Sequence, residues 1–137
     1  MTLKPLATAE LVQVLLTRFG AGDAAGIARL FARRVEWRAP DPANTLWSSG
    51  IRTRREVESF FLTTFSLRTL EALTVRRLLV DGEDAAVLGQ TRWRTSESTL
   101  DSDFAMSLSV HRGEVDEYWL LQDTLAVALS LNVVRGW

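Results

Sequence analysis

The first half of the chain carries apolar residues at the 3.6-residue spacing of amphipathic helices. Thr8 can cap a first helix, which Gly20 ends. Asp23 can cap a second, short helix, and Thr53 with Glu56 has the spacing of a capping box that opens a third. The apolar faces are formed by Leu11, Val12, Leu15, Leu16 and Phe19, then by Ile27, Leu30 and Phe31, and finally by Val57, Phe60, Phe61 and Phe65. Three helices are therefore predicted.

After the third helix the hydrophobic period changes from about 3.6 residues to 2, which is typical of strands. Three turn signals interrupt the alternating segments: DGE at 81–83, TSEST at 95–99 and HRG at 111–113. Each turn lies between two alternating segments, so each predicts a hairpin. The second half should form a long antiparallel meander.

Two shorter segments complete the predicted order of elements. VEWRA at 35–39 is a strand candidate that Pro40 and Pro42 stop, and a loop containing Trp47 is expected to follow as far as Gly50. At the other end, Asp123 and Thr124 supply cap chemistry for a short terminal helix, LAVALSL. Helices segregated against an antiparallel sheet predict an α+β fold.

The composition of the chain mainly excludes classes of function. A chain of 137 residues, 47% hydrophobic and 24% charged, fits a single soluble domain over residues 1–137. With 16 basic and 17 acidic residues it has no electrostatic footprint for nucleic acid. There is no cysteine and only one histidine, His111, so we expect no metal site. No phosphate-binding glycine motif is present and no apolar run could span a membrane, so we expect no cofactor and a cytoplasmic location.

Several motifs, taken in order, resemble one known family. They are GD at 22–23, VEW at 35–37, Gly50 ahead of a helix with paired Phe60 and Phe61, and the later segments LVDGEDAAVLG, SDFAMSLSVHRGEV and EYWLLQDTLAVAL. Together they resemble SnoaL-like polyketide cyclases, within the ketosteroid-isomerase and nuclear-transport-factor-2-like superfamily. The resemblance implies a cone: a curved antiparallel sheet wrapped around three N-terminal helices, plus a short C-terminal helix. It also implies a hydrophobic pocket and a homodimer formed through the outer face of the sheet.

The resemblance also locates the positions at which relatives keep their acid–base groups. The general base and the hydrogen-bonding tyrosine of ketosteroid isomerases correspond to Ala39 and Leu15, and the partner acid corresponds to Met106. The carboxylate of limonene-epoxide-hydrolase-like members corresponds to Leu120. None of these side chains can move a proton. We expect them to bind substrate instead, together with Phe61, with Trp37 against a ligand ring and with Trp47 as a lid.

Four polar residues are left as catalytic candidates. By the strand parity that the resemblance implies, Tyr118, Leu120 and Gln122 face the pocket. Tyr118 can polarise a carbonyl through its hydroxyl, and Gln122 can orient a water or a carbonyl. Asp123 and Asp103 are the candidate carboxylates. A purely structural role is the alternative for each: a core tyrosine, a structural glutamine, a helix cap and a solvated turn residue.

Two functions remain open. The first is a cofactor-free cyclase or isomerase acting on a polycyclic or polyketide-type intermediate in natural-product biosynthesis, mainly through the shape of its pocket. The second is a non-catalytic protein that binds a hydrophobic small molecule or a protein partner. The missing carboxylates favour the second function, and the family resemblance favours the first.

Overall fold

A computed structural model describes residues 6–43 and 46–123. Within these ranges the chain forms three helices and six strands. The helices are α1 (Thr8–Gly20), α2 (Ala24–Ala28) and α3 (Arg54–Leu67). The strands are β1 (Phe31–Pro40), β2 (Trp47–Thr53), β3 (Thr69–Asp81), β4 (Asp84–Arg94), β5 (Thr99–His111) and β6 (Glu114–Gln122). The predicted α+β class and the three helices are confirmed.

The helices begin where the capping chemistry predicts, with one correction. The Asp23 carboxylate accepts a hydrogen bond from Gly26 N–H (2.9 Å) ahead of α2. The capping box of α3 is complete, because Thr53 and Glu56 each accept from the other's backbone N–H. The prediction that Thr8 caps α1 is wrong. Its hydroxyl donates instead to the carbonyl oxygen of Gly82 (2.9 Å), so it joins the helix to the β3–β4 turn.

All six strands belong to one sheet with the order β2-β1-β6-β5-β4-β3. The three predicted hairpins are present as the antiparallel pairs β3–β4, β4–β5 and β5–β6. β1 pairs antiparallel with β2 and parallel with β6. Register shifts mark bulges in β1, β3 and β6, which increase local twist and help the sheet to curve.

The prediction of a loop up to Gly50 is wrong, because Trp47–Thr53 forms the edge strand β2. Most side chains of β2 are exposed on both faces, so the strand lacks the hydrophobic alternation that is present on β4 and β5. Its identity comes from backbone pairing with β1. β1 itself is longer than predicted and begins at Phe31 rather than at Val35.

The core lies between the inner face of the sheet and the helices. On β4 and β5 every second side chain is buried, as a sheet with one covered face requires. The helices contribute the fully buried Leu11, Leu15, Ile27 and Val57. No helix in the described part of the chain is long and apolar enough to cross a membrane. The predicted terminal helix lies outside the described residues.

Gly89 provides a test of how closely β4 packs against its neighbours. A Cβ at this position would meet the Thr74 carbonyl oxygen and would lie 2.9 Å from the ring of Phe104. We therefore expect Gly89→Ala to lower the free energy of unfolding by about 1–3 kcal/mol, measured by urea denaturation. Gly20→Ala is the control, because nothing lies within 4 Å of its added Cβ. It should leave stability unchanged or raise it by up to about 1 kcal/mol. Equal effects of the two substitutions would contradict the close packing at Gly89.

Candidate functional site

A cavity lies between α1, α3 and the inner face of β4 to β6. Its empty volume is about 520 Å³ when the part open to solvent is included. Much of this volume is too narrow to hold a water molecule. Most of its lining is aromatic or aliphatic. The described lining residues are Leu16, Phe19, Pro40, Pro42, Phe60, Phe61, Thr64, Arg68, Leu73, Thr91, Trp93, Phe104, Met106, Leu120 and Gln122.

Aromatic rings form one continuous wall of this cavity. Phe19 contacts Phe61 edge-on at a centroid distance of 6.0 Å and Trp93 at the same distance. Phe61 in turn meets Phe60 edge-on at a centroid distance of 5.1 Å. Edge-to-face contacts of this kind favour defined ring orientations, so the wall has a definite shape.

Four of the described lining residues have polar side chains, and two of these already donate hydrogen bonds within the protein. The Thr64 hydroxyl donates to the Phe60 carbonyl oxygen (2.9 Å), and the Thr91 hydroxyl donates to that of Ser102 (3.3 Å). The other two are Arg68 and Gln122. No described lining residue is a carboxylate or an imidazole, so none is a general base near neutral pH.

Arg68 is the unusual member of the lining. It follows the last turn of α3, and only 6% of its surface is exposed. Its Nε and Nη1 atoms are buried and hydrogen bond to no group in the described part of the chain. The guanidinium carbon lies 4.3 Å from the centre of the Trp93 ring, a cation–π contact worth up to about 2 kcal/mol.

Burial lowers the pKa of Arg68 from 12.5 to about 10, so the side chain is still charged at neutral pH. An unpaired buried charge of this kind costs several kcal/mol, which one aromatic contact offsets only in part. The cavity therefore combines a mostly apolar lining with the cation of Arg68, whose Nε and Nη1 atoms have no hydrogen-bond partner in the described part of the chain.

Sequence reasoning did not identify Arg68, although a signal was present. Val57, Phe61 and Thr64 are buried along one face of α3, and Arg68 continues this stripe at the next helical step. Arginine is rarely fully buried, so its occurrence at a position of this buried stripe is the signal that could have identified it.

Comparison with known proteins agrees with the fold. A family model described as a SnoaL-like domain matches residues 12–118. The chain belongs to this family. No curated protein sequence matches it significantly.

Solved structures similar to this SnoaL-like protein cover nearly its whole length. An NTF2-like protein of unknown function from Burkholderia pseudomallei has a TM-score of 0.77 and 19% identity, covering 90% of this chain and 96% of its own. TerC, co-crystallised with polyporic acid, has a TM-score of 0.73 and 21% identity, with 91% and 98% covered. IdmH from Streptomyces antibioticus, proposed to be a polyketide cyclase, has a TM-score of 0.71 and 16% identity, with 91% and 98% covered. At these identities the likeness shows the fold, and it confirms the predicted NTF2-like architecture.

The SnoaL-like fold brings four of the predicted site residues into the cavity. Phe61, Met106, Leu120 and Gln122 all contribute to its lining. Met106 and Leu120 are register partners on β5 and β6, so they form adjacent parts of one wall. Both are apolar where the resemblance places the acids of relatives.

Other predicted substrate-binding residues lie elsewhere. Leu15 is fully buried in the core and does not line the cavity. Trp37 and Ala39 line a separate cleft between β1, β2 and α3, which shares Pro42 and Phe60 with the main cavity. Trp47 is half exposed at the start of the edge strand β2 and lines neither space, so its predicted position as a loop lid is not supported.

The two candidate carboxylates are also outside the cavity. Asp103 lies on the outer face of β5, where its exposed side chain is 3.7 Å from Arg76. Asp103 is therefore on the face of the sheet opposite to the cavity. Asp123 is exposed just beyond the end of β6, and the helix it was predicted to cap lies outside the described residues. No group of three or more metal-binding side chains occurs in residues 6–43 and 46–123.

Tyr118 lies on the inner face of β6 but behind the cavity lining. It is fully buried, its ring stacks on Trp37 at a centroid distance of 4.7 Å, and it meets Phe31 edge-on at 5.6 Å. Its hydroxyl has no hydrogen-bond partner in the described ranges. Burial raises the pKa of Tyr118 above its ordinary value of 10, so the group is a neutral phenol that can donate a proton in a hydrogen bond but cannot act as a base.

Tyr118 is the only tyrosine in the chain, so its ionisation can be followed directly. We expect the near-ultraviolet absorbance of tyrosinate to stay absent in the folded protein at pH 10 and to appear only at higher pH or on unfolding. The unfolded chain ionises near pH 10, so tyrosine ionisation should reduce stability as the pH rises above that value. Denatured protein is the control. An ordinary titration midpoint in the folded protein would contradict the burial of this hydroxyl.

Proposed function

We propose that this SnoaL-like protein is a cofactor-free cyclase or isomerase that acts on a hydrophobic polycyclic or polyketide-type intermediate. The observation that carries this proposal is the mostly apolar, aromatic and aliphatic lining of the cavity, with no carboxylate or imidazole among the described members. TerC, which was crystallised with polyporic acid, and IdmH, a proposed polyketide cyclase, support the choice of substrate class.

A cavity of this composition can act mainly through shape. By holding a reactive chain with its two reacting atoms close together, it lowers the entropic part of the barrier. Ring closure or isomerisation of an already activated intermediate needs the least help from proton transfer, so this reaction class fits the lining best. Gln122 is positioned to orient a carbonyl group of the ligand.

Tyr118 and Asp123 complete the proposed assignment. A neutral Tyr118 would donate a hydrogen bond to a developing enolate oxygen, once the ligand has displaced the side chains in front of it. Asp123, at the end of β6 next to Gln122, would assist proton transfer. Because much of the cavity is narrow, binding also requires flexible lining side chains such as Met106 to move.

The second candidate function is non-catalytic binding of a hydrophobic small molecule or a protein partner. It is favoured by Leu15, Ala39, Met106 and Leu120, which are apolar where the resemblance places the acid–base groups of relatives. Every one of these four residues is buried. The predicted homodimer remains a proposal for either function. On the outer face of the sheet, neighbouring strands pair Leu88 with Ala105 and Ala105 with Leu121, and both leucines are exposed. This apolar row is available for the proposed dimer contact.

Filling the cavity tests whether it is the binding site. Leu120→Trp adds a large side chain to the lining, so we expect it to weaken binding of polyporic acid at least about tenfold, measured by calorimetry. Leu62→Trp is the matched control, because Leu62 is 54% exposed on α3 and does not line the cavity. Circular dichroism would establish that both variants fold. Equal affinity of Leu120→Trp and the wild type would place the binding site elsewhere.

Turnover separates the two functions. With polyketide-type substrates, at least one of Tyr118→Phe, Gln122→Ala and Asp123→Asn should lower the rate about a hundredfold while leaving the fold intact. Asp103→Asn on the outer face is the control and should have no effect. Ring closure and isomerisation conserve composition, so the product is followed by chromatography and NMR. Unchanged turnover in all three variants would reject these assignments, and recovery of unaltered ligand from the wild type would favour the binding function.

A further inference from the structure

The cavity contains a feature that an apolar ligand alone does not explain. Arg68 lines the cavity and is charged at neutral pH, although only 6% of its surface is exposed to solvent. In the described part of the chain no carboxylate pairs with it, and its pKa is shifted by burial alone. A cation held in this way attracts an anion strongly, because little water screens it.

We propose that Arg68 binds an acidic oxygen of the ligand, so that the cavity selects aromatic or polycyclic compounds carrying a carboxylate or an enolate over their neutral analogues. This inference rests on the proposed function, since it names the chemistry of the ligand in the same cavity. The free Nε and Nη1 atoms are the donors that would bind the oxygen.

The surroundings of Arg68 set the geometry of this contact. The guanidinium carbon of Arg68 lies 4.3 Å from the centre of the Trp93 ring, so the ring covers one face of the guanidinium. An oxygen of the ligand would therefore approach the N–H groups at the edge of the guanidinium. The backbone N–H of Arg68 donates to the Thr64 carbonyl oxygen (3.3 Å), which ties the residue to the end of α3. The aromatic wall formed by Phe19, Phe61 and Trp93 would then bind the rings of the same ligand.

The chemistry of the proposed reaction gives the contact a consequence. An enolate is the activated form of a polyketide chain, and its negative charge is on oxygen as well as carbon. A fixed cation that binds this oxygen stabilises the anion without removing the proton itself. An acidic substrate would lose its proton to water, and the cavity, which has no general base among its described lining residues, would favour binding of the resulting anion.

Four probes test the inference with the full-length protein by calorimetry. Naphthoate and the enolate of hydroxynaphthoquinone are anionic at neutral pH, and naphthamide and methoxynaphthoquinone are their neutral analogues. We expect the wild type to bind at least one anion about tenfold or more tightly than its neutral analogue. The pair that shows this preference distinguishes a carboxylate from an enolate as the group recognised.

Variants of Arg68 locate the effect. Arg68→Met keeps an unbranched, flexible side chain and removes the charged guanidinium, so it should abolish the preference. Arg68→Lys should retain part of it. Arg76→Met is the control, because Arg76 is exposed on the outer face and should leave the preference unchanged. Arg68→Met is also expected to fold, since replacing an unpaired buried charge with an apolar side chain does not destabilise the core.

Each result decides between named alternatives. Equal binding of anions and neutral analogues by the wild type would overturn the role of Arg68 and leave the apolar cavity as a binding site. A preference that survives in Arg68→Met would overturn it as well. If none of the four probes binds at millimolar concentration, both this inference and the proposed function fail.

Discussion

The parallel pairing of β1 with β6 is the contact on which the rest of the fold depends. It joins the N-terminal pair of strands to the C-terminal meander, which have no other shared sheet contact. Side chains reinforce the junction. The Arg54 guanidinium at the start of α3 donates to the Phe31 carbonyl oxygen (2.9 Å) and to the Glu114 carboxylate (2.8 Å). The backbone N–H of Val115 also donates to the Leu30 carbonyl oxygen (2.8 Å). These contacts fix α3 over the sheet, and so they fix one wall of the cavity.

The parts of the fold that could be predicted from the sequence are those with local causes. The hairpins follow from alternating side chains and from turns in which Gly82 and Gly113 adopt positive φ. The start of α3 follows from a capping box that is complete within four residues. By contrast, β2 was missed because most of its side chains are exposed on both faces and only its distant partner makes it a strand. The parallel pairing of β1 with β6 has no local signal either, and here the family resemblance was informative.

The cavity residues that lie on strands could be predicted, because alternate side chains of a strand face the same side of the sheet. Met106, Leu120 and Gln122 line the cavity because they lie on the inner face of β5 and β6. Arg68 was not found, because the buried stripe of α3 was identified from its apolar residues alone, although Arg68 continues it. The positions at which the resemblance places acid–base groups are apolar and buried, and Arg68 is a buried cation in the cavity lining.

Phe60 belongs to the lining of both the main cavity and the neighbouring cleft, and it packs edge-on against Trp37 at a centroid distance of 4.8 Å. It is therefore a partition between two spaces rather than part of a solid core. Pro42 lines both spaces as well, so a ring that rotates about two bonds and a rigid proline together separate them. A smaller residue in place of Phe60 would widen the passage between the two spaces without changing the sheet or the helices.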